Sequence, residues 1–239
     1  MIQALEEMVT LLYPRRCPLC QDILTDKAAL ICMKCRTKAV PIRGPKCKTC
    51  GKPVVSLETE YCPDCQEKTH FFTSGRAVFL YEKEIRKSVY QFKFHNKREY
   101  AGFYVSEMER VCGDEIRTWN PDVIIPIPMY KKKKRQRGYN QAEILAKCLG
   151  KRLQIPVDTK SLVRVRKTIP HKSLGRKERE INLKNAFKTS TNALELKKVL
   201  LVDDIYTTGV TRDEAAKVLW MAGAEEVHFL VLCTGKPDC

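Results

Sequence analysis

From residue 76 onward, short apolar runs alternate with stretches of helical period. The runs lie at 76–81, 122–127, 162–165, 199–202 and 226–232. All five predict strands, and the apolar runs within 122–127 and 199–202 are of the kind covered on both faces, the habit of a parallel sheet. Between them, apolar residues recur every three or four positions: Ile85, Val89 and Phe92; Tyr100, Tyr104 and Met108; Ala142, Leu145, Cys148 and Leu149; Ala215, Ala216, Val218, Leu219 and Ala222. Each set predicts a helix, the first two divided by the polar stretch 95–98 and the last ended by Gly223. Strands alternating with helices make an α/β fold, a mostly parallel sheet flanked by helices. The stretch 167–176, polar and basic with Pro170 and Gly175, predicts a mobile loop. At the other end, Ile2, Leu5, Val9 and Leu12 give residues 1–13 one apolar helical face, suited to docking on the chain's own domains.

Some fifty residues before the first strand carry few large apolar side chains but eight of the twelve cysteines, as four Cys-x-x-Cys knuckles: Cys17/Cys20, Cys32/Cys35, Cys47/Cys50 and Cys62/Cys65. A knuckle sets two thiolates on one side of a tight turn, and two knuckles close a tetrahedral metal site of structural type. Pro18, Pro63 and Gly51 suit those turns. Sequential pairing, Cys17, Cys20, Cys32 and Cys35 on one zinc ion and Cys47, Cys50, Cys62 and Cys65 on a second, is the favoured arrangement, similar to a double zinc ribbon. The even spacing leaves an interleaved cross-brace open, and iron is an alternative to zinc. A disulfide framework ranks below both, because thiols stay reduced inside the cell. The first role of such a region is a folding staple; a docking surface for nucleic acid or a partner is the second. Cys112, Cys148 and Cys233 read as small core residues or incidental thiols. The composition shift around 68–74 divides the chain into residues 1–70, a helix and the metal knuckles, and 71–239, the α/β domain.

The chain's 239 residues, 44% of them hydrophobic, have room for a core and give no sign of wholesale disorder. Charge narrows the partners. The formal net charge is +16, and eight thiolates on two zinc ions would bring it to about +12. Anionic ligands are expected, polyphosphate metabolites or nucleic acid. Residues 1–13 lack a basic leader with an apolar core, and no run approaches the ~18 apolar residues of a bilayer span. The expectation is a cytoplasmic protein without membrane insertion.

The densest chemistry lies at 199–211. The apolar run ends in Asp203 and Asp204, where a parallel sheet binds ligands and adjacent carboxylates can accept hydrogen bonds from vicinal sugar hydroxyls. Thr207, Thr208, Gly209 and Thr211 then open a helix, so hydroxyls and backbone N–H groups form a phosphate cradle. Hydrogen bonds rather than the dipole carry such a site: each charge-assisted bond contributes roughly 1.5–3 kcal/mol, the dipole ~0.3–1. A second anion site is expected at 130–141, six basic residues and no acid after the rigid turn Pro126, Ile127, Pro128 and Met129. Taken alone, Lys131 to Lys134 read as a solvated run for at least two of the four; Lys93, His95 and Lys97 can reach an anionic ligand, with a solvated face the favoured account. Tyr130 and Tyr139 are candidates to stack on bases, Tyr139 equally for the core.

Residues 199–211 resemble the phosphoribosyl pyrophosphate (PRPP) signature of type I phosphoribosyltransferases: four apolar residues, two acids, then Thr-Thr-Gly-x-Thr. Pro126-x-Pro128 followed by Arg135-x-Arg137-Gly-aromatic-Asn-Gln, and Arg176-x-x-Arg179 with Asn182, Ala186 and Phe187, resemble the narrower ComF pattern, as do the four knuckles. His171 and Gly175 depart from it, standing where glutamine and serine are usual, and take no role. The resemblance implies a type I phosphoribosyltransferase fold behind a double zinc ribbon. It implies that Asp203 and Asp204 hold the ribose as catalytic residues, and that Thr207, Thr208, Gly209, Val210 and Thr211 hold the 5′-phosphate. It further implies that Ile127, Pro128, Met129, Arg135 and Arg137 hold pyrophosphate with Mg²⁺, and that Arg176 and Arg179 close a flexible loop. A role in DNA uptake during natural competence follows, with single-stranded DNA and a helicase-like protein as partners. The alternatives are a silent PRPP-sensing or DNA-binding scaffold, and a phosphoribosyltransferase of unknown acceptor.

Overall fold

The computed structural model describes residues 14–26, 28–166, 185–190, 197–206 and 209–235. The helix expected over 1–13 and the loop expected over 167–176 lie outside them.

In chain order the elements are α1 (Met33–Arg36), α2 (Pro63–Glu67), β1 (Ser74–Leu80), α3 (Lys83–Phe94), α4 (Ala101–Trp119), β2 (Val123–Pro126), α5 (Lys131–Arg137), α6 (Gln141–Leu153), β3 (Leu162–Arg164), β4 (Phe187–Thr189), β5 (Lys198–Tyr206), α7 (Val210–Met221) and β6 (Glu226–Thr234). Four strands form one sheet in the order β1-β6-β5-β2, every pair parallel. β3 and β4 pair antiparallel as a separate ribbon. The continuous apolar runs of β5 and β6 are buried on both faces, as expected of central parallel strands. On one face Leu200, Val202, Leu230 and Leu232 pack with Val89 and Phe92 of α3, Tyr104 and Met108 of α4 and Leu145 of α6. On the other, Val199, Leu201, Phe229 and Val231 pack with Ala215, Ala216 and Leu219 of α7. Among the described residues no helix is long and apolar enough to cross a membrane.

The cysteine-rich region forms two copies of one unit, thirty residues apart. Antiparallel bridges Arg16↔Ile23 and Lys46↔Pro53 frame the first knuckle of each, and Gln21 N–H and Gly51 N–H each donate to the carbonyl of the knuckle's first cysteine, both at 2.9 Å. The copies straddle the sheet: Cys17, Leu19, Ile31 and Cys35 join the α4 face, whereas Cys47, Cys50, Cys62 and Phe72 join the α7 face. Between them they cover the edge of β1, where Ile42 N–H donates to the Val78 carbonyl and Gly75 N–H to the Thr49 carbonyl. An uncovered edge strand would recruit another chain, so this contact protects the sheet as well as anchoring the knuckles. Gly51 is required at its turn: φ is +71°, and a Cβ there would meet the Gly75 carbonyl oxygen at 2.5 Å.

His228 of β6 is a buried polar exception in the sheet. It stacks on Trp119 with centroids 4.7 Å apart, shares a 2.9 Å hydrogen bond with Ser74 Oγ, and reaches Glu226 Oε2 at 3.0 Å. Burial pushes the imidazole below its ordinary pKa, against the pull of Glu226; Lys198 and Arg76 push it the same way as burial. Below the unfolded value of about 6.5 the open chain therefore takes up a proton that the folded chain resists. Stability is fully present above that pH and falls as the pH drops through the folded pKa. Urea unfolding at a series of pH values should show this slope between pH 7 and 5, and His228→Gln should flatten it.

Candidate functional site

Asp203 and Asp204 sit within β5, not after it. The strand runs on to Tyr206, with Ile205 and Tyr206 still paired to Cys233 and Thr234 of β6. The sequence reading ended the strand at Val202 because the apolar run stops there; pairing on the β6 side carries it further. On the other side β2 ends at Pro126, opposite Val202. Beyond that residue β5 has, among the described residues, a paired strand on one flank only, and the two carboxylates stand at the resulting step.

Successive strand residues face opposite ways, and each carboxylate meets a different helix. Asp203 Oδ2 accepts from Arg212 of α7 at 2.6 Å, and Arg212, 3% exposed, also donates to the Ile205 carbonyl. Asp204 Oδ1 lies 2.8 Å from Lys93 Nζ at the end of α3. Burial pushes the Asp203 carboxyl above its ordinary pKa; Arg212 pulls it down, and Asp204 adds to the rise.

More cations converge on the same step. Arg137 is near enough to feel Asp204, and Arg164 of β3 feels Asp203. Lys133, exposed on the surface of its helix, is held below its usual pKa by partial desolvation and by Arg137, Arg164 and Lys93. Burial likewise lowers Arg137 and Arg164. Among the described residues Lys93 and Arg212 pair with the two carboxylates, while Lys133, Arg137 and Arg164 lie near enough to feel them, and an anion would offset the excess of positive charge.

The expected basic loop is a helix, α5, because Lys and Arg are good helix formers and Gly138, at φ +85°, caps it. Its pitch puts Lys133 and Arg137, four apart, on one side. Lys134 turns to Glu143 at 2.6 Å, and Arg135 is exposed. The residues after α5 then explain their own pattern. Tyr139 is buried and its hydroxyl donates to the Phe92 carbonyl, Asn140 Nδ2 donates to the Ile127 carbonyl at 2.9 Å, and Arg137 donates to Gln141 Oε1 at 2.7 Å. Gln141 in turn donates to the Lys93 carbonyl at 3.3 Å. The segment clamps the end of α3 to the end of β2, which holds Lys93 against Asp204 and Arg137 near enough to feel it. Tyr139 is core and unavailable for stacking. Ile127 is buried, whereas Pro128 and Met129 are half-buried at the turn.

Gly209, at φ +76°, precedes α7, and its carbonyl accepts from Arg212 and Asp213 N–H, both at 2.9 Å. A Cβ there would lie 2.5 Å from Tyr206 Oη. Val210 is buried and Thr211 half-buried in the first turn; Thr207, Thr208, Arg176 and Arg179 lie outside the described residues. Beneath this corner lies the second knuckle pair. Lys52, 4% exposed, pairs with Asp64 at 2.7 Å and stands 5.6 Å from the Tyr206 ring. Asp213 accepts from Phe71 N–H at 2.8 Å and lies 3.3 Å from His70 Nδ1. Burial alone would raise that carboxyl, but these hydrogen bonds and the charges of His70 and Lys68 hold it below its ordinary value.

Each cysteine quartet is consecutive: Cys17, Cys20, Cys32 and Cys35, then Cys47, Cys50, Cys62 and Cys65, with all four ligand atoms of each within 4.8 Å of one another. The interleaved arrangement is thereby excluded. All eight are free thiols. Cys20 Sγ to Cys32 Sγ is 3.7 Å and Cys50 Sγ to Cys62 Sγ is 3.5 Å, close to the about 3.8 Å edge of a tetrahedron with 2.3 Å Zn–S bonds and far from the ~2.05 Å of a disulfide. The donor sets fit structural zinc. Of the other thiols, Cys112 and Cys233 are buried and Cys148 is exposed, an incidental thiol rather than a core residue.

Sequence reasoning missed Arg164 and Arg212 as site residues. It favoured a solvated face for Lys93 and gave Lys133 only a place in the basic stretch, where the four-residue spacing to Arg137 was the available signal.

The double zinc ribbon domain family matches residues 8–66, and the phosphoribosyl transferase domain family matches residues 105–239. Competence protein F of Haemophilus influenzae is 30% identical over 218 residues, 89% of this chain and 94% of that protein. Competence protein ComFC of Bacillus subtilis is 28% identical over 202 residues, covering 81% and 79%. DNA utilization protein YhgH of Salmonella typhimurium is 31% identical over 227 residues, covering 92% and 97%.

Proposed function

The chain belongs to the ComF family, a phosphoribosyltransferase domain behind a double zinc ribbon, and from that premise we propose that it binds PRPP with Mg²⁺ and handles single-stranded DNA in natural competence. The observation that carries the first half is the paired carboxylates at the β5 step, with five cations paired to them or near enough to feel them and a glycine-opened helix to follow. Asp203 and Asp204 accept hydrogen bonds from the ribose hydroxyls, and as positive charge builds on the ring they stabilise it. Lys93, which pairs with Asp204, can turn to a phosphate oxygen as the sugar takes its place, whereas Arg212, buried against Asp203 and the Ile205 carbonyl, keeps that carboxylate in position. Arg137, with Lys133 beside it, receives the pyrophosphate at the Ile127–Met129 turn, and Arg135 lies at the outer rim. Residues Thr207 to Thr211 hold the 5′-phosphate, and Arg176 and Arg179 belong to the closing loop. Asp203 and Asp204 would hold Mg²⁺, which would supply charge neutralisation of the leaving group.

Each cysteine quartet holds one zinc ion, and the chain divides at 70/71 into ribbon and transferase-like domains. The competence role is supported by the relatives' names, which speak of competence and DNA utilization; single-stranded DNA, in keeping with the basic charge, and a helicase-like partner are what the family resemblance implies, and a cytoplasmic site of action suits them.

Calorimetric titration of PRPP with Mg²⁺ into zinc-loaded protein tests the reading. Binding by the wild type and its loss in Asp203→Asn/Asp204→Asn is the expected result. No heat from the wild type would discard the PRPP site and leave a DNA-binding scaffold.

A further inference from the structure

The core face of α3 is Ile85, Ser88, Val89 and Phe92. On the opposite side, one turn apart, stand two large rings that face solvent: Tyr90 is 50% exposed and Phe94 57%. Their centroids are 4.9 Å apart, and the His95 ring lies 5.5 Å from Tyr90. A scattered exposed aromatic is ordinary, but these form a contiguous surface with cations built into it. The Arg137 guanidinium lies over the Phe94 ring at 4.7 Å and is near enough to feel Asp204. Lys93, the neighbour of Phe94, is the partner of Asp204. The rings therefore border the cationic step on β5.

We propose that Tyr90 and Phe94 are a stacking platform for the bases of single-stranded nucleic acid, whose phosphates run over Arg137, Lys133 and His95. The chemistry selects this occupant. Exposed ring faces beside guanidinium and ammonium groups match a ligand that is at once planar and polyanionic. An acidic peptide would use the cations and leave the rings idle, and a duplex hides its base faces. Tyr139, one of the two stacking candidates suggested by the sequence, is committed to the core and Tyr130 is half-buried, whereas α3 presents two exposed rings. This assignment rests on the single-strand half of the proposed function and gives it a place.

The test is fluorescence anisotropy with a labelled oligothymidine and an abasic strand of equal length and charge, using zinc-loaded protein at fixed salt. The wild type should favour the thymidine strand at least about tenfold, and Tyr90→Ala/Phe94→Ala should lose about that much while binding the abasic strand unchanged. Unchanged PRPP titration and thermal midpoint in the variant would show that the fold is intact, as expected for exposed rings; Phe94→Tyr should keep the preference. Equal affinity for both strands in the wild type, or an unaltered preference in the double variant, would overturn the platform. No binding of either strand would bring down the single-strand reading itself, independently of PRPP.

Discussion

Cys47→Ser should release one of two zinc ions and abolish ligand binding at Asp203 and Asp204, although Cys47 belongs to the ribbon and not to the β5 site. The energy at stake decides that the loss cannot stay local. Structural zinc binding contributes apparent free energies of about 10–16 kcal/mol in small peptides, comparable to the about 5–15 kcal/mol that holds a whole domain. The second quartet is also wired to the site. Lys52 stands under the Tyr206 ring, Phe72 packs edge-on against Phe229 with centroids 4.8 Å apart, and the chain leaving the quartet binds Asp213 in the first turn of α7 through Phe71 N–H. Unfolding this unit frees Tyr206 and the α7 start together, and with them the backbone expected to hold phosphate. Cys17→Ser should also release one zinc ion but spare most of the PRPP affinity, because the first quartet packs on the α4 face. Metal analysis with parallel calorimetric titrations checks both. A Cys47→Ser protein with one zinc ion and full PRPP affinity would show that the ribbon only covers the sheet edge.

Arg212→Met should cost about 3–5 kcal/mol of stability, the usual penalty for leaving a buried charge without its partner. Arg212 is 3% exposed, and its guanidinium serves both Asp203 and the Ile205 carbonyl. Burial already drives the Asp203 carboxyl upward; removing Arg212 removes the first influence that opposes it. A carboxyl whose folded pKa is raised is tolerated below its unfolded value and becomes a liability as the pH rises through the folded one. The deficit of Arg212→Met should therefore shrink on acidification from neutral pH. Asp203→Asn/Arg212→Met should recover more than half of the loss, because the isolated charge is gone. Urea unfolding of the wild type, the two single variants and the double gives the coupling directly. A loss below about 1 kcal/mol in Arg212→Met would mean that solvent reaches Asp203 and the pair carries little.

What was legible in the sequence was whatever depends on neighbours along the chain. Four apolar residues from Val199 to Val202 specify a buried strand through local pattern alone, and two acids followed by Thr-Thr-Gly specify a turn into a helix. Paired knuckles at fixed spacing specify two metal sites for the same reason: the ligands come in close pairs whose turn geometry is local. The alternation of runs and helical periods was enough for a parallel sheet.

The charge balance of the site was set elsewhere. Lys93, Arg137, Arg164 and Arg212 belong to α3, α5, β3 and α7, and only the closing of the sheet brings them to one step. In the sequence Arg164 and Arg212 were each one more basic residue in a chain of net charge +16, and although Arg137 belonged to the expected pyrophosphate loop and Lys93 could reach an anion, nothing local set either beside Asp204. Asp203 and Asp204 are adjacent in sequence yet face opposite layers, since strand residues alternate; their separate partners follow from which helix packs on which face. The continuation of β5 to Tyr206 is likewise a tertiary result, because β6 supplies hydrogen bonds where β2 has ended. The placing of the two ribbons on opposite faces of the β1 edge belongs there too. Local pattern encodes which residues can form a strand, a knuckle or a cradle, but burial and charge pairing depend on distances between elements far apart in the chain, and those exist only once it has folded.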